Sequence, residues 1–420
     1  MTGCAGFAAC WVGWLMLGCL LLYAAGACWF ARGLRRVRGA GSSGATPTVS
    51  VVVAARDEEA NIDRCLSGLR AQDYPKDLFE IIVVDDGSRD ATAARVQAVP
   101  DVRLLQTHAL LGWTGSKKAA LSLGVQAARG ELIVTTDADC LVRPGWLRAL
   151  AAHFEPEVGM VAGLSEVGPR GGACGLRTGY EALDFLVLMG CIGGSIGQGH
   201  PMAASGQNLA YRRAVFAAVG GYEGMMHRGS GDDVLLLQRV RRDGRWRIRF
   251  ACDEEARSTH PPAASLLALL RQRIRWASNA PCQVRLDPLF FGYMAVTYAL
   301  NALVLLAPVL CLARWLPVPW ALGVLAGKWF AEMAMLAQTM AVFGRRELWR
   351  YVWLWLLVQP LHVGLAGALG CLGMFRWKGS AHRWGRRLGP PAEAGATTGA
   401  DPVTPIWGQP TDPGSISCAR

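Results

Sequence analysis

The sequence predicts an α/β protein with a mostly parallel central sheet, flanked at both ends by helices long enough to span a membrane. Between residues 48 and 287, short runs rich in β-branched residues alternate with helical patterns, which is typical of βαβ units. Outside this range, apolar stretches reach the ~20 residues needed to cross a bilayer. Hydrophobic residues make up 52% of the chain and charged residues 18%, which fits a protein that is partly soluble and partly embedded in a membrane.

The first element is an apolar segment, residues 5–31, which carries no charge before Arg32. A secretory signal has its positive charge before the apolar stretch, whereas here the basic cluster ARGLRRVRG follows it. Positive charge beside a membrane helix favours the cytoplasmic side. We therefore predict an uncleaved membrane anchor over residues 1–34, with the chain that follows it in the cytoplasm.

The middle range, residues 48–287, is predicted to be one globular domain. Its strand runs are VSVVVAA, EIIVVDD, VRLLQT and ELIVTTDAD, with helical patterns between them. Runs this rich in Val and Ile are typical of parallel strands that are covered on both faces. Ligands of such sheets bind at the carboxyl ends of the strands. Two aspartate motifs fall at strand ends, Asp85-Asp86-Gly87-Ser88 and Asp137-Ala138-Asp139.

Further apolar segments lie in a C-terminal membrane region, predicted over residues 288–378. They cover residues 293–313, 318–343 and 349–375. The second contains Lys328 and Glu332, which are four residues apart and can pair on one helix face. The third contains Gln359-Pro360, which would either kink the helix or make the segment re-entrant.

The number of crossings stays open at the sequence level. Three complete crossings would leave the basic segment RWKGSAHRWGRR outside the cell, against the positive-inside rule. Either one segment is re-entrant, or a further stretch such as residues 183–198 enters the bilayer. The tail, residues 388–420, is rich in Pro, Gly, Thr and Ser and is predicted to be disordered.

The positive net charge of +11 does not indicate nucleic-acid binding, because the arginines crowd beside the apolar segments. Such clusters are expected where membrane helices meet anionic lipid, and no nucleic-acid-binding motif is present. The 13 cysteines are scattered without metal-site spacing, so we interpret them as reduced, buried residues. His108, His200 and His260 likewise match no metal motif.

Each aspartate motif taken alone favours a turn or a helix N-terminus. Together, two groups of carboxylates at one edge of a sheet place like charges close to one another and require a cation. Hard oxygen ligands select Mg²⁺ or Mn²⁺. A third motif, Asp232-Asp233, opens a helical pattern, where it can serve as the acidic first turn, as a general base, or as both.

Six motifs, in this order, resemble glycosyltransferase family 2. They are VSVVVAARDEEANI, IIVVDDGSRDAT, GELIVTTDADCLVRPGWL, GQNLAYRRAVFAAVGGYEG, SGDDVLLL and RQRIRW. The likeness covers roughly residues 48–285, and the flanking apolar segments fit the membrane-bound branch of that family. The resemblance implies a GT-A fold, a nucleotide-diphosphate sugar as donor, and inversion at the anomeric carbon.

For the sugar donor and its metal, the resemblance implies roles at five positions. Glu58 and Asp86 would contact the base or ribose of the nucleotide, with Arg56 nearby. Asp137 and Asp139 match the D-x-D element, in which Asp139 would bind the divalent metal that bridges the two phosphates. Asp137 is expected to contribute to the same donor and metal site.

For the transfer step, the resemblance implies that Asp233 is the catalytic base, with Asp232 in a supporting position. Gln272, Arg275 and Trp276 match the Q-x-x-R-W motif. In that motif the arginine would help to neutralise the diphosphate, and the tryptophan would form a platform beside the acceptor. A carboxylate that accepts the proton of the attacking hydroxyl allows displacement in one step.

The residues between the D-x-D element and Asp232-Asp233 allow two interpretations of the acceptor region. The segment ALDFLVLMGCIGGSIGQGHPMAASG is apolar and rich in glycine, so it is either buried core or a cleft for a lipid-like acceptor. The arrangement of membrane segments resembles ceramide, hopanoid-associated and carotenoid glucosyltransferases. We therefore expect transfer of one sugar, from a UDP-hexose, to a lipid or other hydrophobic acceptor.

Two alternatives to this function remain open, as does one question about a pair of lysines. The first is a processive polysaccharide synthase that exports its polymer, since such enzymes share Q-x-x-R-W. The second is an inactive membrane carrier or scaffold, although all the expected carboxylates are present. The question concerns Lys117 and Lys118, which open a helical pattern and either meet a phosphate or form a solvated first turn.

Overall fold

The computed structural model describes residues 2–37, 39, 41, 43–111, 113–114, 116–168, 174–226, 228, 230–377, 380–383, 386–387 and 392–393. The chain divides into two compact units, which we call the α/β unit and the helical unit. The α/β unit comprises Val37–Pro169, Pro201–Pro261 and Met374–Arg420, and the helical unit comprises Met1–Arg36, Arg170–His200 and Pro262–Gly373.

The helices are, in chain order, α1 (Thr2–Arg36), α2 (Ile62–Arg70), α3 (Thr92–Gln97), α4 (Thr107–Leu111), α5 (Lys117–Ala127), α6 (Trp146–Ala151), α7 (Leu176–Gly197), α8 (Arg213–Ala218), α9 (Asp232–Asp243), α10 (Leu266–Ala277), α11 (Ala280–Leu286), α12 (Pro288–Leu312), α13 (Val318–Phe343) and α14 (Val352–Cys371). A 3₁₀ helix, Arg346–Tyr351, leads directly into α14.

The strands are, in chain order, β1 (Val49–Ala55), β2 (Phe79–Asp85), β3 (Val102–Gln106), β4 (Trp113–Thr114), β5 (Leu132–Asp137), β6 (Leu141–Val142), β7 (Val158–Gly163), β8 (Ser165–Val167), β9 (Leu209–Arg212), β10 (Arg247–Ala251), β11 (Ser258–His260), β12 (Met374–Trp377), β13 (Ser380–Arg383), β14 (Arg386–Arg387) and β15 (Ala392–Glu393).

The α/β unit is built on a central sheet that, among the described residues, has seven strands in the order β10-β7-β9-β5-β1-β2-β3. All neighbours are parallel except β9, which runs antiparallel to both β5 and β7. The prediction of a mostly parallel sheet is therefore confirmed. Its strands are apolar because both faces are covered: Val51 and Val53 on one face, and Val52 and Val84 on the other, are completely buried.

The register of the sheet brings the first two aspartate motifs to one edge. Ala54 of β1 lies opposite Asp137 of β5, and Ala55 lies opposite Asp85 of β2. The end of β1 thus lies between the two motifs. This arrangement follows from parallel strands of similar length, which end at the same edge.

Among the described residues, four helical segments are long and apolar enough to cross a membrane. They are Trp11–Arg36, Leu176–Gly197, Pro288–Leu312 and Arg346–Cys371. The last runs through Pro360 without a break in α14. The segment predicted at residues 318–343 forms α13 but is not among the four, because it carries Lys328 and Glu332 as well as other polar residues.

The helical unit buries polar groups as well as apolar ones. Lys328 donates a hydrogen bond to Glu332 Oε1 (2.5 Å) and another to Gln359 (3.0 Å), and Tyr23 donates to the same Glu332 oxygen (3.1 Å). The i,i+4 pairing predicted for Lys328 and Glu332 is therefore confirmed. Close approach of α1 and α7 depends on Gly194, because a Cβ there would meet the backbone of Phe30.

The tail that the sequence predicts to be disordered, residues 388–420, lies outside the described residues apart from β15.

Candidate active site

The loops after β1 and β2 are joined to each other at the edge of the sheet. Ser88 accepts a hydrogen bond from the backbone N–H of Asp57 (3.0 Å), and Asp57 accepts one from the backbone N–H of Arg89 (2.8 Å). Asp57 adopts a positive φ of 51°, which turns the chain sharply between its neighbours Arg56 and Glu58. These two predicted donor-binding residues therefore lie in a constrained loop.

Asp85 and Asp86 do different things, although they are adjacent. The Asp85 carboxylate accepts from the backbone N–H of Ser88 (3.3 Å), so it closes the turn after β2. Asp86 is buried, and its carboxylate accepts a hydrogen bond from the hydroxyl of Thr107 (3.1 Å). Its backbone N–H donates to Ala55 O (2.8 Å), which fixes it against the end of β1. The turn interpretation thus applies to Asp85, while Asp86 is held at the sheet edge.

The D-x-D residues lie at the carboxyl end of β5. Asp137 is the final residue of the strand, and Asp139 lies two residues beyond it. Burial, and then the negative charges of Asp137 and Glu58, raise the pKa of Asp139 to about 6. Glu58 is therefore close enough for its charge to raise the pKa of Asp139. Three carboxylates, those of Glu58, Asp137 and Asp139, concentrate negative charge at this end of β5.

Lys117 joins the second and third aspartate motifs. Its Nζ lies 2.6 Å from Asp137 Oδ1 and 3.3 Å from Asp232 Oδ2. Burial alone would lower the pKa of the Lys117 ammonium, but the charges of Asp137 and Asp232 outweigh burial and raise it. Lys117 is thus a permanent internal cation between the end of β5 and the start of α9.

Gly206 lies against the same cluster from another side. Its backbone N–H donates to Asp233 Oδ2 (2.9 Å). A Cβ at position 206 would meet Asp232 Oδ2 at 3.1 Å, Lys117 Nζ at 3.5 Å and Asp233 Oδ2 at 3.6 Å. The absence of a side chain at this position therefore leaves room beside all three charged groups.

The two carboxylates at the start of α9 have opposite pKa shifts. Burial would raise the pKa of Asp232, but the positive charges of Lys117 and Lys118 lower it on balance. Burial, and then the negative charge of Asp232, raise the pKa of Asp233 to about 6. Neighbouring carboxyls with separated pKa values are typical of acid–base sites, because one stays ionised while the other exchanges a proton near neutral pH.

Lys118 is almost completely buried, with 1% of its surface exposed. Its ammonium donates to the backbone carbonyls of Arg228 (2.9 Å) and Ser230 (2.8 Å), just before Asp232 and Asp233. Burial lowers its pKa to about 8. The solvated first turn is wrong, since Lys117 binds carboxylates and Lys118 binds the loop that precedes α9, while contact with a phosphate stays a prediction. No short-range pattern could have indicated partners so far away along the chain.

The D-x-D carboxylates fit a divalent metal, although they do not enclose one by themselves. Among the described residues, no group of three or more His, Cys, Asp or Glu side chains could hold a metal ion. Mg²⁺ is commonly held by one or two carboxylates, with substrate phosphates and water completing its shell. Asp137 and Asp139 offer two such carboxylates, and the raised pKa of Asp139 marks negative charge that a cation would neutralise.

The remaining predicted residues, Gln272, Arg275 and Trp276, lie on α10 of the helical unit. Ser265 caps this helix by accepting from the backbone N–H of Ala268 (3.1 Å). Gln272 accepts a hydrogen bond from Arg273 (3.2 Å), and the Arg273 guanidinium lies 4.4 Å from the centre of the Trp276 ring. Arg273 was not selected from the sequence, because it occupies a variable position of the motif.

A family model described as "Glycosyltransferase like family 2" matches residues 47–279, which is more than half of the chain. Glycosyltransferase AglE of Haloferax volcanii is 29% identical over 213 residues, which cover 49% of this chain and 65% of that protein. Beta-monoglucosyldiacylglycerol synthase of Synechocystis is 29% identical over 241 residues, which cover 56% and 48%. The chain thus spans less than two thirds of the length of either relative.

Among solved structures, the mannosyltransferase PcManGT from Pyrobaculum calidifontis, in complex with GDP-Man and Mn²⁺, superimposes with a TM-score of 0.54 at 21% identity. The match covers 87% of this chain and 98% of that one. The superposition shows that the two proteins share a fold. The expectation of a GT-A fold with apolar flanking helices is therefore confirmed.

Proposed function

Because this chain belongs to glycosyltransferase family 2, we propose that it is a membrane-bound, metal-dependent, inverting enzyme that moves a hexose from a UDP-sugar to a hydroxyl of a lipid-like acceptor. The observation that carries the proposal is the cluster of Asp137, Asp232 and Asp233 around Lys117 and Gly206. It unites carboxylates suited to a metal with a carboxyl suited to proton transfer, as displacement at an anomeric carbon requires.

Donor binding is assigned to the loops at the end of β1 and β2. Arg56, Glu58 and Asp86 would contact the base and ribose, which the joined loops would present in a fixed arrangement. Asp137 and Asp139 would hold Mg²⁺ or Mn²⁺, which supplies positive charge against the leaving diphosphate. The structural neighbour from P. calidifontis, described with GDP-Man and Mn²⁺, supports a nucleotide-sugar and a divalent ion in this fold.

Proton transfer is assigned to Asp233. Its carboxyl, with a pKa of about 6, is ionised at neutral pH yet basic enough to accept the proton of an attacking hydroxyl. The hydrogen bond from Gly206 N–H and the ion pair of Asp232 with Lys117 hold the first turn of α9 in place. Direct attack by the acceptor then inverts the anomeric carbon without a covalent intermediate.

The Q-x-x-R-W residues complete the assignment. Gln272 and Arg275 would contact the diphosphate, whose charge grows as the sugar leaves, and Trp276 would lie beside the acceptor. These roles come from the family, and the three residues lie on α10 of the helical unit.

A lipid acceptor is supported by the four apolar helical segments and by the name of the Synechocystis relative, which makes a glucosyldiacylglycerol. The basic cluster after α1 supports a cytoplasmic α/β unit in a multi-pass membrane protein. Glycosyl transfer to a lipid at the cytoplasmic face would use the soluble sugar nucleotide on the same side as the membrane-bound acceptor.

The test is a labelled-sugar transfer assay on membranes from cells that express the chain. UDP-glucose with Mg²⁺ or Mn²⁺ is used first, followed by UDP-galactose, UDP-N-acetylglucosamine and GDP-mannose. The inactive control is Asp233→Asn. The matched control is Asp243→Asn, which makes the same change at the far end of α9, where Asp243 pairs with Arg245.

Solvent-extractable label that depends on Asp233 and not on Asp243 supports the proposal. Polymer-sized label with the same dependence would replace it with a polysaccharide synthase. Equal label from wild type and Asp233→Asn with every donor would remove the assignment of Asp233 as the base.

A further inference from the structure

An ion pair lies inside the helical unit, next to the Q-x-x-R-W motif. Arg273 of α10 donates to Asp184 Oδ2 from Nε (3.0 Å) and from its terminal nitrogen (2.7 Å). Both residues are 8% exposed. Trp355 of α14 donates to the other oxygen of Asp184 (3.3 Å), so that both carboxylate oxygens are engaged.

Charged residues at such positions are costly and rarely incidental. Asp184 lies in α7, one of the helical segments that are apolar enough to span a membrane. Removing an ion pair from water costs free energy that an apolar pair of the same size would not. We therefore expect this ion pair to have a role besides stability, namely to hold a neighbouring group in position.

The group in contact with Arg273 is the ring of Trp276. The guanidinium lies 4.4 Å from the centre of that ring and 5.9 Å from the centre of Phe185. Arg273 and Trp276 are three residues apart on α10 and so share one helix face. The rings of Phe185 and Trp276 are 6.1 Å apart and inclined at 44°. The indole is thus bounded by a planar cation and a second ring.

Arg273 is already occupied by protein groups. Two of its nitrogens donate to Asp184, and the third donates to Gln272 (3.2 Å). Its charge is balanced by Asp184, so it is not suited to bind a phosphate. Its remaining surface is the flat face, which lies over Trp276.

We propose that Asp184 and Arg273 are positioning residues that fix the plane of Trp276 and thereby set how the acceptor is held. This inference rests on the proposed function, in which Trp276 lies beside the acceptor. Asp184 orients the guanidinium, the guanidinium orients the indole, and the indole presents its face to the incoming molecule. Lysine cannot replace Arg273 in this arrangement, because it has no plane to stack.

The experiment uses the full-length protein in detergent micelles, with 5-fluorotryptophan in place of tryptophan. The resonance of Trp276 among the 16 tryptophans is identified by its loss in Trp276→Phe. Arg273→Lys and Asp184→Asn are compared with Arg271→Lys, a matched control at an exposed position of the same helix. Melting temperature, acceptor KM, sugar-donor KM and hydrolysis of the sugar donor without acceptor are measured for each.

In Arg273→Lys and Asp184→Asn we expect the Trp276 fluorine resonance to shift or broaden, and the acceptor KM to rise about 10-fold, the scale of a lost cation–π contact. Sugar-donor KM and hydrolysis should stay within about twofold of wild type. Arg271→Lys should leave all readouts unchanged.

A lower melting temperature with an unmoved Trp276 resonance would overturn the proposal and leave a purely stabilising ion pair. A shifted resonance with unchanged acceptor KM would overturn the link to the acceptor. If the wild-type protein proved to elongate a polymer, the resonance would still decide the positioning role, so failure of the lipid-acceptor function and failure of this inference are distinguishable.

Discussion

Replacing Lys117 with methionine removes the internal cation of the candidate active site while keeping a side chain of similar length. Lys117 lies 2.6 Å from Asp137 and 3.3 Å from Asp232 and is the partner that joins β5 to α9. In the variant, these two carboxylates would lose the cation that lies between them.

The size of the effect follows from the distances. With an effective dielectric constant of about 20, the two contacts correspond to roughly 6 and 5 kcal/mol of gross Coulomb attraction. Solvent offsets much of this, because 24% of the Lys117 side chain is exposed. Removing one partner of a buried pair costs about 3–5 kcal/mol, and we expect about 3 kcal/mol. For a domain of this size, that is a fall of about 6–12 °C in melting temperature.

The assay is thermal unfolding of the full-length protein in detergent, with EDTA and then with excess Mn²⁺. Lys117→Met should melt lower than wild type in EDTA. It should gain more than wild type from Mn²⁺, since Asp137 then lacks the ammonium that lies 2.6 Å away in the wild type. Lys76→Met is the matched control, because Lys76 is exposed and binds the backbone carbonyls of Arg70 and Gln72 instead of a carboxylate, so its response to Mn²⁺ should equal that of wild type.

A double-mutant cycle separates the ion pair from other effects of the substitution. If Lys117 acts through Asp137, then Asp137→Asn should cost little more in the Lys117→Met background, and the coupling energy should exceed about 1 kcal/mol. Additive effects, together with equal stabilisation of wild type and variant by Mn²⁺, would refute the reasoning that Lys117 compensates this cluster.

Three further predictions concern Asp233, Lys118 and the contact between α1 and α7. The pKa of Asp233 is raised to about 6, so its ionised form is lost as pH falls through that value, and kcat/KM should show an acid limb near pH 6; a limb near pH 4 in the pH–rate profile would contradict this. Lys118→Met leaves the carbonyls of Arg228 and Ser230 without their donor, so kcat should fall about 100-fold with little change in sugar-donor KM, as steady-state kinetics would show, because the start of α9 loses its position. Gly194→Val forces α7 away from α1 and should destabilise the helical unit by about 1–3 kcal/mol, whereas Gly18→Val, with nothing within 4 Å of its Cβ position, should not; melting curves of the two variants decide.

Much of the α/β unit was predictable because its strands carry short-range patterns. The runs that became β1, β2 and β5 are continuous and β-branched, and their alternation with helical patterns predicts parallel pairing. From parallel pairing alone it follows that Asp85 and Asp137 share one sheet edge, and the register confirms this. The antiparallel strand β9 could not be foreseen in this way, because its place between β5 and β7 depends on residues far apart in the chain.

The helices that are apolar enough to span a membrane were less fully predicted. Hydropathy identifies α1, α12 and α14. The helix α13 is long enough to span a membrane but is not apolar enough, and α7 had been considered only as one alternative. Composition cannot distinguish a helix that packs among other helices from one that faces lipid. In the structure most of α7 is buried within the helical unit, which hydropathy alone does not indicate.

The sequence by itself determined the family, the order of the motifs and the edge of the sheet where the first carboxylates lie, because each depends on residues close together in the chain. Only the tertiary structure decided that Lys117 joins Asp137 to Asp232, that Lys118 holds a loop 110 residues away, and that Arg273 stacks on Trp276 while pairing with Asp184. The physical reason is that burial makes isolated charges costly, so each must find a partner, and the folded chain alone determines which partner is within reach.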